Sequence, residues 1–316
     1  MTDYIAQEPK IDLPFQAYTE NGKNRFAHLI NTIADNSPTG RAVLEDAAKA
    51  GYQLKMQAMS GTQGFVCEEM KTIFLSTCYD DNVLMETLAH ECRHVQQVMR
   101  GVPDNHRELV IRDTVKMNRA IEADAEAVGA ATAWEIRKNS GNDGPWKALE
   151  EKCPKITQGM ESAAKGDERI ATPAMMRGAF DGWYQNKPMM DIYEKNVVFN
   201  DALSNSLQEH REAKPADFFK REMSSAEMVN MFCKDTAGKC YWADNPDVLN
   251  EPARLQINQN TMDFAKSVNE FRADKKLKVD TSYNDLYVYG TAPKTAEKSA
   301  NSAALQAAVA RKKLSR

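Results

Sequence analysis

The chain has 316 residues, enough for one large domain or two modest ones. With 42% apolar and 27% charged residues and a net charge of −4, it has the balance of a water-soluble globular protein and gives no reason to expect a nucleic-acid partner. No run of 18 apolar residues could span a membrane, and Met1 to Lys10 lacks the apolar core of a signal peptide, so the expected location is cytoplasmic.

Pro9 and Pro14 keep the first 20 residues extended. Phe26, Leu29, Ile30 and Ile33 fall on one face of a helix from about Asn24 to Ala34, and a second helix runs from Arg41 to Ala50 and stops at Gly51. The period then changes. Tyr52 to Met56 alternates apolar and polar, and Phe65-Val66-Cys67 and Thr72-Ile73-Phe74-Leu75 flank a tight connection. Three short strands forming a small antiparallel sheet follow from this pattern.

Asp80 or Asp81 caps the next helix, which passes through Leu84, Leu88, His90, His94 and Val98 to a stop at Gly101. After Pro103-Asp104-Asn105, a long helix from about Arg107 to Arg137 carries an Ala-rich middle that permits close approach by a neighbour. The Ser140-to-Pro145 stretch is the best boundary candidate, giving a catalytic core over 1–140 and a helical region over 145–290. Helices are expected over Trp146–Cys153, Pro173–Gln185, Met189–Leu207, Ala216–Met223, Ala226–Cys233 and Thr261–Phe271. The tail, 293–316, has six Lys or Arg against one Glu, a net +5, and few large apolar residues to bury. Such a tail is also compatible with secretion of the protein as an effector without a cleaved signal.

His90-Glu91-Cys92-Arg93-His94 spells H-E-x-x-H on a helix. Histidines four apart share one face, so both imidazoles can reach one metal ion, and Glu91 stands beside it as a general base for a water molecule. A catalytic zinc needs a third protein ligand. Asp104, ten residues after His94, is one candidate; the acidic run Glu122-Ala123-Asp124-Ala125-Glu126 is another. His106, His210, Tyr184 and Tyr193 can each donate a hydrogen bond to a developing oxyanion, with the two tyrosines preferred. Six scattered cysteines lack a metal-knuckle spacing; Cys92 reads as a core thiol, and Cys233 and Cys240 as a conceivable redox pair.

The histidine motif followed 28 residues later by Glu122 resembles the gluzincins, the thermolysin-like class of zinc metallopeptidases. That resemblance implies zinc held by His90, His94 and Glu122, with Glu126 supporting the first histidine from behind. The class usually has Asp at the supporting position, so the choice between Glu122 and Glu126 stays open. The resemblance covers roughly residues 24–135. It implies an α+β, mostly helical fold: a compact zincin core with a small three-stranded antiparallel sheet and an added C-terminal helical region. The last strand, Lys71 to Ser76, would be the edge that takes up a peptide or protein substrate. Phe180-Asp181-Gly182-Trp183-Tyr184 and Asp191-Ile192-Tyr193-Glu194 are similar to helices of a family of uncharacterised bacterial metallopeptidases. The competing reading is a zincin scaffold that binds without turnover; the intact Glu91 argues against it.

Overall fold

The computed structural model describes residues 3–102, 108–195, 202–212 and 219–291. The fold is α+β and mostly helical, and the chain divides into two units. The first takes in Met1–His106, Met117–Tyr193 and Met223–Leu249; the second takes in Arg107–Lys116, Glu194–Glu222 and Asn250–Arg316.

In the first unit, β1 (Phe15–Gln16) is too short to show a period in the sequence. Next come α1 (Glu20–Asn36) and α2 (Pro38–Lys49). Thr19 and Ser37 cap these helices by accepting from Gly22 N and Gly40 N, and Pro38 starts the second because its missing N–H would be unsatisfied there anyway. Strands β2 (Gln53–Gln57), β3 (Gly64–Cys67) and β4 (Thr72–Ser76) follow.

The main sheet corrects the expected three antiparallel strands. It has four, in the order β1-β2-β4-β3, with β1/β2 and β2/β4 parallel and β3/β4 antiparallel. The hairpin between β3 and β4 is as expected, but β2 pairs with β4 instead of β3. Burial explains this. All five residues of β4 are buried, as in a central strand flanked on both sides, whereas β3 is partly exposed. The edge beside the histidine helix is therefore β3, and the assignment of Lys71–Ser76 as the edge is overturned.

Helix α3 (Asp81–Met99) is capped by Asp80, whose side chain accepts from Val83 N. In α4 (Ile111–Ser140), Ala120, Ala123, Ala125, Ala127, Ala130 and Ala131 are fully buried, as the small-residue stripe requires. The unit continues with α5 (Gly144–Lys152), α6 (Pro154–Ala163), α7 (Pro173–Trp183) and α8 (Lys187–Lys195). Helix α6 has no counterpart in the periodicity reading. It meets α7 backbone to backbone at Gly159 and Gly178, where a Cβ on either would land on the other's carbonyl, so large apolar residues do not announce the contact.

In the second unit, α9 (Leu203–Glu212) replaces the end of the helix expected over Met189–Leu207, and 196–201 lie outside the described residues. Of the helix expected over Ala216–Met223, the described part, Phe219–Met223, is not helical: Phe219 has φ +54°, and Arg221 bridges to Leu109. Helix α10 (Ser225–Phe232) belongs to the first unit and starts with a capping box between Ser224 and Glu227. In the second unit, β5 (Gln256–Ile257) pairs in parallel with β6 (Tyr287–Val288), and α11 (Gln259–Asp274) lies between them in sequence. Ile111, Val115, Ile257, Val268 and Leu286 build that unit's core. Asp104, His106 and the tail from 293 lie outside the described residues. Among the described residues no helix is long and apolar enough to cross a membrane.

Candidate metal centre

Three helices bring five of the expected side chains to one cleft. His90 and His94, one turn apart on α3, turn their Nε2 atoms to within 3.0 Å of each other. Glu122 on α4 faces both: its carboxylate oxygens lie 3.6 Å from His90 Nε2 and 3.7 Å from His94 Nε2. Tyr193 on α8 hydrogen-bonds to Glu122. These groups and Glu91 line a cleft of about 360 Å³, whose other wall is β3 through Gly64, Phe65 and Val66.

Gly64 lets the strand come this close. A Cβ there would sit 2.9 Å from Thr87 Cγ2, 3.0 Å from the Phe74 carbonyl and 3.1 Å from Glu91 Cγ, so any larger residue would press on Glu91.

Carboxylates surround the first histidine with negative charge. Burial pushes the His90 imidazolium toward losing its proton. The hydrogen bond to Glu122 and the charges of Glu126, Glu91 and Glu122 outweigh that and lift it to about 10. Burial raises the Glu91 carboxyl, because a charge is harder to hold away from water. Burial also acts to raise Glu122, but His94, His90 and the Tyr193 hydroxyl together hold it below the ordinary carboxylate range.

Behind His90 lies a second layer. Glu126, one turn beyond Glu122, has Oε1 3.9 Å from His90 Nδ1 and 3.5 Å from Lys152 Nζ at the end of α5. Glu86, one turn before His90, lies 3.7 Å from the same ammonium and is pushed up to about 7, chiefly by burial. Gly129 makes room for it, since a Cβ there would lie 2.6 Å from Glu86 Oε1. Sequence reasoning placed Glu126 in a supporting position. It missed Glu86, Gly129 and Lys152, because nothing in the local pattern says that α5 returns a lysine to this spot.

The other expectations divide. Tyr193 is in the cleft; Tyr184 is not, its ring packing on Phe180 and Trp183. His210 lies in the second unit against Phe271. Cys92 is buried, and Cys233 and Cys240 are free thiols. Asp124 is fully buried and paired with Arg93 at 2.8 Å.

Residues 5–241 match the family described as "Putative metallopeptidase family (DUF6782)". The chain belongs to that family. Comparison with curated proteins and with solved structures found no match. The matched segment contains every cleft residue named above, and the family's description implies a metal-dependent peptidase.

The side chains fit such a metal. His90, His94 and Glu122 offer ligand atoms that all lie within 4.8 Å of one another. Two ligands at about 2.1 Å in a tetrahedral arrangement are roughly 3.4 Å apart. The separations of 3.0, 3.6 and 3.7 Å bracket that value. Two imidazoles and one carboxylate, with an open cleft on the fourth side, are a donor set suited to a catalytic site and not to a closed structural one. Glu86, His90 and Glu126 form a second group within the same distance, but the Lys152 ammonium already brings a positive charge to those carboxylates.

Proposed function

We propose that this protein is a zinc-dependent peptidase of gluzincin type, hydrolysing peptide bonds in a peptide or protein substrate. The observation that carries this reading is the convergence of His90, His94 and Glu122 on one point at the floor of a cleft, with Glu91 beside it under an edge strand. Zinc held by His90, His94 and Glu122 would polarise the scissile carbonyl and make an attacking water acidic.

The chain's own groups do the rest. Glu91, raised by burial, takes a proton from the attacking water at its carboxylate and passes it to the leaving amine nitrogen. Tyr193, bonded to Glu122 in the absence of substrate, is the hydroxyl within the cleft that can turn to a developing oxyanion. Strand β3 pairs on one side with β4, and its other edge faces the cleft, where an extended substrate can add by backbone hydrogen bonds. Glu126 Oε1 stands 3.9 Å behind His90 Nδ1 and supports the imidazole by its charge.

Zinc analysis combined with profiling of cleaved peptides, wild type against Glu91→Gln, tests this. About one zinc per chain in both proteins is expected, with cleavage by the wild type and a loss of at least 10²–10⁴-fold in the variant. Equal turnover by the two would sink the proposed role of Glu91, and a zinc-free wild type would sink the metal site.

A further inference from the structure

The second histidine of the motif is held by a chain of buried side chains that the motif does not include. His94 Nδ1 lies 2.8 Å from Gln97 Oε1, one turn on along α3. Gln97 is 1% exposed, and its amide nitrogen donates to the Ile121 carbonyl at 2.9 Å and to Asp124 Oδ2 at 2.7 Å. Both amide hydrogens are therefore committed to acceptors, which fixes which way the amide points. Asp124 accepts four hydrogen bonds: two from the Arg93 guanidinium at 2.8 and 2.9 Å, one from Gln97, and one from Tyr241 Oη at 2.7 Å. All lone-pair directions of that carboxylate are used, so it is an acceptor throughout and cannot reverse the chain. Arg93 in turn donates to the carbonyls of Phe232 and Lys234, which ties α3 to the turn after α10.

The direction of donation follows from these partners. Asp124 accepts from Gln97, Gln97 presents its oxygen, and His94 Nδ1 must be the donor. In the neutral imidazole, the form that can ligate a metal, Nε2 is then the unprotonated nitrogen. The 3.0 Å contact between the two Nε2 atoms agrees, because two N–H groups cannot face each other at that distance.

We propose that Gln97, Asp124, Arg93 and Tyr241 form a positioning relay that holds His94 as the Nδ1–H tautomer, with Nε2 presented to a divalent metal. The relay rests on the metal-site reading above, but its tautomer claim concerns the metal-free protein. It strengthens the nitrogen as a donor, because its far end is a carboxylate paired with the Arg93 guanidinium and fully hydrogen-bonded. It also gives Arg93, the second variable position of H-E-x-x-H, a job specific to this chain.

The test uses the full chain with ¹⁵N-labelled histidine. In metal-free wild type, the His94 resonances should show a protonated Nδ1 and an unprotonated Nε2. Gln97→Met keeps the length of the side chain and removes the acceptor. It should abolish that preference and weaken zinc binding, measured by chelator competition, by about 10–100-fold. Tyr241→Phe, which removes one of the four bonds on Asp124, should shift the His94 Nδ1 resonance and cost a few-fold in zinc affinity. It stands in if Gln97→Met does not fold. Unchanged tautomer and zinc affinity in whichever variant folds overturns the relay. A wild type that binds no zinc refutes the metal reading instead, while the tautomer measurement still decides the relay.

Discussion

Asp124→Ala is the severest test of how the site is braced. The side chain of Asp124 is fully buried and that of Arg93 is 3% exposed. Removing the carboxylate strands a guanidinium that water cannot reach, and also frees one donor each from Gln97 and Tyr241. Breaking a buried pair from one side costs about 3–5 kcal/mol, set against a total stability of roughly 5–15 kcal/mol. At about 2–4 °C per kcal/mol, the melting temperature should fall by roughly 6–20 °C. Trp134, Trp146, Trp183 and Trp242 all lie in the first unit, so urea unfolding followed by tryptophan fluorescence reads the unit that contains the site. Asp143→Ala is the control. Its 2.6 Å pair with Lys147 is shorter but solvent-exposed, and its loss should leave the midpoint unchanged. Replacing both partners, Arg93→Met with Asp124→Leu, should recover much of the lost stability because no buried charge is left alone. A midpoint for Asp124→Ala within error of wild type, or a double variant worse than the sum of its singles, would refute the reasoning.

Glu122→Ala should remove most of the zinc while Glu126→Ala retains more, checked by metal analysis after dialysis; full occupancy in Glu122→Ala would transfer the ligand role to Glu126 or Asp104. Glu86 gives a pH prediction. Its folded-state carboxyl is raised to about 7, so its contribution to stability is complete below about pH 4.5 and is lost as pH rises through 7. Glu91 acts with the same sign. For Glu126, burial is outweighed by Lys152 and His90, which hold it low, so it titrates below this window. In chelator-treated protein, Glu86→Gln should therefore reduce the fall in urea midpoint between pH 4.5 and 7; an undiminished fall would show that Glu86 is not the group responsible. A fragment ending at residue 144 loses Lys152 and Tyr241, together with the buried Trp146, Phe180 and Trp183. It should aggregate or lose stability, and a stable fragment that resists limited proteolysis would contradict that.

Much of the site was legible along the chain because helix geometry is local. Four residues make about one turn, so the positions of His90 and His94 fixed their common face, and Glu122 and Glu126 likewise fell one turn apart on the next helix. The hairpin of β3 and β4 was readable for the same reason. Strand order was not: pairing β2 with β4 depends on which strand is buried on both faces, a property of the assembled sheet, and it moved the cleft edge from β4 to β3. Tyr184 and Tyr193 looked equivalent as sequence, and only packing separated a ring set against Phe180 and edge-on to Trp183 from a hydroxyl hydrogen-bonded to Glu122. The Phe232 and Lys234 carbonyls reach Arg93 from 139 and 141 residues along the chain, Tyr241 reaches Asp124 from 117, and Lys152 returns from the end of α5. No periodicity encodes where those segments return, because hydrogen bonds and buried charges choose partners by distance in space rather than distance along the chain.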